Sequence, residues 1–440
     1  MKGYLSSSVL VVLGLSFPGI SVAQGADDVF SYHTTTPGGA SHTMDSIEYG
    51  PHLQWARALG DDIAFGFVQR EMASPLVVGD WLVLGSTRTE GLQVLDRHTG
   101  LLIERWQGLT TVEADLLFDQ TNERVFAADI DGHIAAYELD GNLLWMYEAG
   151  EALGVKPLLM DHMLFVQTLS GQVTALDPST GEWLWSYGRD AHSETSILGT
   201  SGVVSGNQRV YAGFSDGALV AFSPETGALL WESPLANPDA QWHDLDVLAQ
   251  VDGCLFASTY EGPSFCIDPE NGTIQWSLAG GASAAPLLAE GLLLIPQIGG
   301  EVVAVDPENG EESWRWQAPA SKVTPNAIQV LSEPVLWDGH VVFPSNRGLL
   351  YGLDAAQGRL VWTYRPWIDR FGFSSRAEVT GESLYLLSGG GDILHMATDV
   401  YQPPPVLSER QRWLAPDETM PELGQVVEGI RADWEFPTPE

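Results

Sequence analysis

Hydrophobic and polar residues alternate in short runs along most of this chain, and one arrangement of them returns every 38–48 residues. Each copy starts at a glycine and runs through an alternating apolar stretch. It then passes a turn of the D-x-x-T-G or D-P-E-N-G kind and closes on a tryptophan. Seven full copies lie between Gly91–Trp106 and Gly348–Trp362, and an eighth starts at Gly391 without its tryptophan. A period of about 40 residues is typical of propellers and solenoids.

Two further strands precede each glycine. The first is a short run that often contains a proline, as in SPLVV at Ser74, KPLLM at Lys156, APLLA at Ala285 and EPVLW at Glu333. The second is strongly β-prone, as in RVFAAD and RVYAGF. The D-G pairs Asp131–Gly132 and Asp216–Gly217 predict turns between the second and third strands. Each repeat therefore predicts four strands.

The closing tryptophan predicts how the repeats assemble. A four-stranded sheet cannot bury both faces alone, so the copies must stack around an axis. Trp55 precedes the first full copy and supplies the strand that the eighth copy lacks, which closes the ring and hides sheet edges. The sequence predicts an all-β, eight-bladed β-propeller of four-stranded antiparallel blades, closed by strand exchange between its N- and C-terminal ends. Eight tryptophans are the expected structural anchors: Trp55, Trp106, Trp145, Trp185, Trp231, Trp276, Trp314 and Trp362.

The recurring A-L-D-x-x-T-G-x-x-x-W element resembles the quinoprotein (PQQ)-like propeller repeat. It is similar to the repeats of PQQ-dependent alcohol dehydrogenases and of BamB, the outer-membrane β-barrel assembly lipoprotein. The resemblance covers residues from about 53 to 399 and is most like the BamB branch. It implies a protein-binding scaffold with a partner in outer-membrane assembly. BamB-type lipoproteins carry a cysteine just after the signal peptide, whereas this chain has none before Cys254.

The ends of the chain predict export and two segments outside the propeller. Residues 1–23 read as a secretory signal peptide, with Lys2, an apolar stretch from Val9 to Phe17 and a small-residue cleavage site ending at Ala23. We expect a flexible segment over 24–50, the propeller over 51–400 and a proline-rich tail over 401–440. The mature protein is expected in the periplasm, either free or peripheral to the outer membrane, with no membrane span and no evident lipid anchor.

The charge narrows the choice of partners. With 58 acidic residues against 20 basic ones, the formal net charge is −38. Such a surface repels nucleic acid and anionic membranes, and it attracts a basic protein surface. The same acidity is also typical of adaptation to salt, and the sequence leaves both explanations open. We expect a monomeric propeller with a protein partner.

The two cysteines are Cys254 and Cys266, on the second and third strands of one repeat. A two-residue hairpin near Glu261–Gly262 would place Cys266 opposite Ala257. The cysteines would then lie on opposite faces, with Cα atoms roughly 10 Å apart. Since a disulfide needs Cα atoms within about 7 Å, we expect unpaired, buried cysteines, although a bulge or an oxidising compartment would favour pairing.

Two loops between repeats carry candidate chemistry. The first follows Trp231 and holds Trp242, His243, Asp244 and Asp246, which form a candidate ligand loop. Carboxylate and imidazole groups are ligands of divalent ions, but their spacing here matches no known metal class. We therefore predict a solvated polar loop without a metal, and a divalent metal site is the alternative.

The second loop follows Trp362 and mixes arginines with aromatic residues. Arginine and aromatic side chains are typical anchors of protein interfaces. We predict a partner-binding surface there; the alternative is that the aromatic rings plug the channel and the arginines pair with neighbouring acids. Its residues are Trp367, Arg370, Phe371, Phe373 and Arg376.

Three functions follow as alternatives. We predict a non-catalytic scaffold without catalytic residues, cofactor or metal. The second alternative is a quinoprotein dehydrogenase, which would need PQQ, a calcium ion with carboxylate and amide ligands, and an aspartate base. The alcohol dehydrogenases of this class also have a disulfide between adjacent cysteines, and this chain has no adjacent cysteines. A binder of a carbohydrate or small ligand at the channel mouth is the third alternative.

Overall fold

The computed structural model describes residues 51–59, 71–189, 201–235, 244–259, 262–320, 329–366, 372–398, 411–412 and 415–419. These residues form strands and turns, without any α-helix among them. Accordingly, the described part of the chain contains no helix long and apolar enough to span a membrane.

Eight four-stranded antiparallel sheets form the blades of a propeller, as the sequence predicts. Strand β1 (His52–Ala58) comes first in the chain and belongs to the last blade. Blade 1 contains β2 (Leu76–Val78), β3 (Trp81–Leu84), β4 (Leu92–Asp96) and β5 (Leu102–Trp106); blade 2 contains β6 (Leu117–Asp119), β7 (Arg124–Ala128), β8 (His133–Glu138) and β9 (Leu143–Glu148). Blade 3 contains β10 (Leu158–Met160), β11 (Met163–Gln167), β12 (Val173–Leu176) and β13 (Trp183–Tyr187); blade 4 contains β14 (Val203–Gly206), β15 (Arg209–Gly213), β16 (Ala218–Phe222) and β17 (Leu229–Pro234).

The second half of the ring repeats this order. Blade 5 contains β18 (Leu245–Val251), β19 (Cys254–Thr259), β20 (Ser264–Ile267) and β21 (Ile274–Leu278); blade 6 contains β22 (Leu287–Ala289), β23 (Leu292–Gln297), β24 (Glu301–Val305) and β25 (Glu312–Gln317). Blade 7 contains β26 (Val335–Trp337), β27 (His340–Pro344), β28 (Leu350–Leu353) and β29 (Leu360–Tyr364); blade 8 contains β30 (Glu378–Thr380), β31 (Ser383–Leu387) and β32 (Asp392–Ala397). A separate short ladder pairs β33 (Gln411–Arg412) with β34 (Ala415–Thr419).

Ring closure uses the strand exchange that Trp55 predicts. Strand β1 pairs antiparallel with β32, so the last sheet has the order β1-β32-β31-β30. The amide of Leu59 extends this ladder by donating to the carbonyl of Gly391 at 2.7 Å. The first and last parts of the propeller therefore share one sheet.

The closing tryptophans join neighbouring blades. The indole of Trp145 donates to the carbonyl of Pro178 at 3.0 Å, and that of Trp185 donates to the carbonyl of Pro224 at 2.7 Å. Seven of the eight rings lie against a positive-φ glycine in the next blade, such as Gly181 under Trp145. The exception is Trp362, which lies against Gly352 of its own blade, while Trp337 donates to the carbonyl of Glu382 in blade 8. A glycine is needed in these turns because a Cβ would overlap the indole ring.

A β-bulge interrupts every outer strand; it directly precedes the tryptophan in seven blades and lies at Ile103, three residues before Trp106, in blade 1. In blade 3, Trp183 lies opposite Leu176 and Trp185 opposite Ala175, so Leu184 has no cross-strand partner. The same shift occurs in the other seven blades. Bulges protect exposed sheet edges from pairing with other strands.

The expectation of unpaired cysteines is wrong. The β19–β20 ladder ends at Ser258 and Ser264, so the connection is longer than a two-residue hairpin and Cys266 lies opposite Phe256. Cys254 is therefore displaced from Cys266 by two residues along the ladder, which places both side chains on the same face. They form a disulfide with their Cα atoms 5.5 Å apart, buried in the core between blades 5 and 6.

Candidate functional site at the channel mouth

The innermost strands surround a central channel. Contacts between them join β2 to β6, β6 to β10, β10 to β14 and β14 to β18, and also β26 to β30 and β30 to β2. The segments that lead into these strands, together with part of the β27–β28 turn, enclose a cavity of about 510 Å³. Since seven of the eight blades contribute to it, the cavity lies on the propeller axis. The lining of this channel-mouth cavity includes Met72, Ser74, Asp115, Ser201, Asp246, Val247, Leu248, Ser283, Ala284, Ala285, Val330, Leu331, Ser332, Glu333, Asn346, Phe373, Ser374, Ser375 and Arg376.

Arg376 organises one side of the cavity. Its Nη1 lies 3.5 Å from a carboxylate oxygen of Glu333, and its Nη2 lies 3.6 Å from one of Glu378. Its backbone amide donates to the hydroxyl of Ser74, whose own amide donates to Asp115 at 2.6 Å. The guanidinium thus pairs with carboxylates of blades 7 and 8, and the charge of Asp115 in blade 2 also acts on it.

Burial at the cavity disfavours the charged form of these carboxyl groups. It raises the pKa of Glu333, although Arg376 partly offsets the effect, and it raises the pKa of Glu378 in the same way. A partner that brings another positive charge would stabilise both carboxylates.

Asp246 lies on the opposite part of the lining, at the start of the innermost strand of blade 5. Burial, together with the neighbouring Asp244, raises its pKa to about 7. Asp244 itself is buried, with 1% of its surface exposed. The Asp246 carboxyl therefore changes charge close to neutral pH, and a nearby cation would favour its ionised form.

The structure brings together parts of the two loops that the sequence treats separately. Asp246 from the candidate ligand loop and Phe373 and Arg376 from the candidate partner-binding loop line the same cavity. Phe373 is fully buried in the core cluster between blades 7 and 8, and Arg376 is ion-paired with Glu333. The remaining members, Trp242, His243, Trp367, Arg370 and Phe371, lie outside the described residues. The partner-binding surface therefore stays a prediction.

Sequence reasoning missed Asp115, Glu333 and Glu378 as members of the site. A signal for Glu333 was present, because the residue before the inner-strand proline faces the channel. Ser74, Ala285 and Glu333 all occupy this position and all line the cavity. Lys156 occupies the same position in blade 3. Its charge partly offsets the effect by which burial raises the pKa of Glu333 and Glu378.

The donor groups of the described channel do not fit a calcium–quinone site. No group of three or more His, Cys, Asp or Glu side chains in the described ranges is arranged to hold a metal ion. The only two cysteines are paired within the blade 5 hairpin, twelve residues apart in sequence. They cannot form the bond between adjacent cysteines that the resemblance to the alcohol dehydrogenases would require.

Comparison with known proteins gives the family of this fold. A family model described as outer membrane protein assembly factor BamB matches residues 104–277 and 240–366, which together span 104–366. The outer membrane protein assembly factor BamB of Burkholderia pseudomallei is 25% identical over 229 residues, which are 50% of this chain and 58% of that protein. That of Bordetella pertussis is 21% identical over 358 residues, which are 79% of this chain and 88% of that protein. The chain thus spans little more than half of the first relative and most of the second.

Structural comparison agrees on the fold. The crystal structure of BamB from Moraxella catarrhalis superposes with a TM-score of 0.66 at 17% identity, covering 79% of this chain and 100% of that one. A shorter match joins 22% of this chain to 14% of the dehydrogenase subunit of a quinone-dependent alcohol dehydrogenase from Gluconobacter oxydans, with 31% identity over 106 residues. The resemblance to both branches that the repeat predicts is therefore confirmed.

Proposed function

Because this chain belongs to the BamB family of outer membrane protein assembly factors, we propose that it is a non-catalytic scaffold that binds another protein of that process in the periplasm. The observation that carries this proposal is the family match across residues 104–366. The export signal predicted over residues 1–23 supports the compartment. The relatives' names supply the process, outer-membrane protein assembly.

The partner binds at the channel mouth, on the face where outer strands connect to the next inner strand. Loops on a rigid ring are the usual place for binding residues, and a preformed surface needs little ordering when it binds. The carboxyl groups of Asp115, Asp246 and Glu333 line the cavity there, together with the guanidinium of Arg376. A basic side chain of the partner would stabilise these carboxylates, and the net charge of −38 would accelerate its approach.

The scaffold works without PQQ, calcium or another cofactor. The donor groups of the described channel, which do not fit a calcium–quinone pair, support this part of the proposal. The quinone-dependent dehydrogenase alternative is favoured by the local match to the Gluconobacter protein, over 22% of this chain. A bound quinone, or dye reduction that requires added PQQ and calcium, would favour that alternative.

Charge reversal at the mouth tests the proposal. The purified full chain is titrated with the purified outer-membrane barrel-assembly protein of the same organism, and binding is followed by calorimetry. Asp246→Lys is expected to weaken binding at least tenfold, because it places a cation where the partner's basic group lies. Glu308→Lys is the matched control, since Glu308 is exposed in a turn of blade 6 on the opposite face. Absence of binding by the wild type, or equal binding by both variants, would contradict the proposal.

A further inference from the structure

A band of exposed apolar side chains runs along the outer rim of blades 2 to 5. On the outer strand of blade 3, Trp183 is 57% exposed and Leu184 is 41% exposed. The indole of Trp183 donates to the hydroxyl of Ser186 at 2.6 Å, which holds the ring along its own strand. Equivalent positions in the neighbouring blades hold Leu143, Leu144, Leu229, Leu230 and Ile274, and Met146 directly follows Trp145 on the outer strand of blade 2. We call these eight residues the rim band.

The rim band repeats at the same place in successive blades. In blades 1 to 4 the closing tryptophan lies against a glycine of the next blade, and the exposed residues of that next blade begin two positions after the glycine. Thus Trp145 packs on Gly181 just before Trp183, and Trp185 packs on Gly227 just before Leu229. Large contiguous apolar surfaces on a soluble protein mark interaction sites, whereas single exposed apolar residues do not.

The hairpins that carry the rim band hold only negative charge. Residues 138–148, 177–187, 223–234 and 268–278 contain aspartate and glutamate but no lysine or arginine. Exposed examples beside the band are Asp140, Glu182 and Glu225. Glu232 and Glu270 instead pair with Arg189 and Arg209 of neighbouring segments. The equivalent hairpins of blades 1, 6 and 7 differ, because they contain Arg105, Arg315 and Arg359. An apolar centre with an acidic border thus distinguishes four consecutive blades.

The chemistry of the band selects one kind of occupant. A second copy of the chain would bring another net charge of −38, and the chain's own tail over 401–440 has eight acidic residues against three basic ones. Addition of a partner strand to the edge is opposed by the bulges at Leu144, Leu184 and Leu230. A side-chain contact with an apolar and basic surface satisfies all of these constraints.

We propose that the rim band of blades 2 to 5 binds a basic amphipathic segment of another protein, independently of the channel mouth. Trp183 is the central anchor, because a half-exposed tryptophan among leucines is typical of an interface hot spot. The acidic border pairs with lysine or arginine residues of that segment. The protein therefore has two binding surfaces, one on the axis and one on the rim.

The test uses the full chain and a fluorescent amphipathic peptide of leucine and lysine, measured by anisotropy. The peptide is expected to bind, and Trp183→Gln with Leu230→Gln is expected to weaken binding at least tenfold. The matched control is Ile103→Gln with Leu336→Gln, since these residues are 49% and 55% exposed outside the band and Trp183 and Leu230 are 57% and 47% exposed. The control is expected to bind within twofold of the wild type. Circular dichroism and thermal unfolding verify that both variants fold.

Three results would overturn the proposal. The first is equal binding by the band variant and the control variant. The second is equal binding of a scrambled peptide with the same composition, which would reduce the contact to non-specific charge attraction. The third is unchanged peptide binding by the band variant together with the loss of another interaction that the wild type and the control variant retain. That interaction would be binding to phosphatidylcholine vesicles or self-association in analytical ultracentrifugation. Because Asp246→Lys leaves the band intact, it is expected to retain peptide binding, which separates this proposal from that of the channel mouth.

Discussion

At the scale of single residues, burial shifts the pKa values of two titratable side chains, Asp246 and His395. The two shifts make stability depend on pH in opposite directions. Burial raises the pKa of Asp246 to about 7 and lowers that of His395 to about 4, because the interior favours the neutral form of each. His395 is held against Tyr385, with ring centroids 4.6 Å apart, and contacts the hydroxyl of Ser383 at 2.9 Å. The contribution of His395 to stability is complete at pH values above its pKa in the unfolded chain, and it is lost as the pH falls toward 4. The contribution of Asp246 to stability changes with pH in the opposite direction.

Replacing Asp246 by Asn tests this sign. The folded pKa of Asp246 exceeds its unfolded value, so its favourable contribution is present at low pH and is lost as the pH rises through 7. Asp246→Asn is therefore expected to increase the free energy of unfolding by about 1–2 kcal/mol at pH 8, after discounting for partial exposure, and by less at pH 5. Urea unfolding at the two pH values measures the difference. A variant that is less stable at pH 8 would show that Asp246 has a stabilising partner.

The glycines under the tryptophans give a second prediction for single residues. Gly227 and Gly339 both have positive φ, 66° and 70°. A Cβ at Gly227 would lie 2.6 Å from the Trp185 ring, whereas one at Gly339 would have nothing within 4 Å. Gly339→Ala is expected to cost about 1 kcal/mol for its backbone conformation alone, and Gly227→Ala about 2–3 kcal/mol more from overpacking. Equal losses in chemical unfolding would mean that the tryptophan contact does not join the blades as tightly as its geometry indicates.

Among the elements, the hairpin of blade 5 has a strand register that could not be predicted from the sequence. The positions of its strands follow from the repeat, but the register depends on the length of the turn between them. The residue opposite Cys266 is Phe256, one position from the predicted Ala257. Because side chains alternate between faces, this single step decides whether the two cysteines can meet. Periodicity predicts strands well, and it carries little information on the number of residues in an irregular turn.

The disulfide gives a prediction for this element. Its closed loop separates the cysteines by twelve residues, for which loss of chain entropy in the unfolded state predicts about 2–3 kcal/mol of stabilisation. Cys254→Ala with Cys266→Ala is expected to unfold at lower denaturant concentration than the wild type. A reducing agent should destabilise the wild type by a similar amount and leave the double variant unchanged. An effect of the reducing agent on both proteins, or on neither, would contradict this assignment.

The whole molecule was the most predictable scale, and the site was the least. Eight tryptophans at one repeat position predict both the blade number and the exchange of β1 into the last sheet, and the structure confirms both. The channel-mouth cavity depends on side chains from seven blades, such as Asp115, Asp246 and Arg376, which are far apart in sequence. Their convergence follows from the radius and rotation of the ring, which no local pattern encodes. The boundaries of the segments over 1–23, 24–50 and 401–440 stay predictions.

The most direct test of the central claim is capture of the tagged full chain from gently solubilised cell envelope, with mass spectrometry of its partners and an absorbance scan of the purified protein. The scaffold account predicts recovery of an outer-membrane barrel-assembly protein, no quinone absorbance and no dye reduction after addition of PQQ and calcium. Recovery of the chain without that protein, together with a bound quinone or calcium-dependent dye reduction, would contradict the account and identify an enzyme.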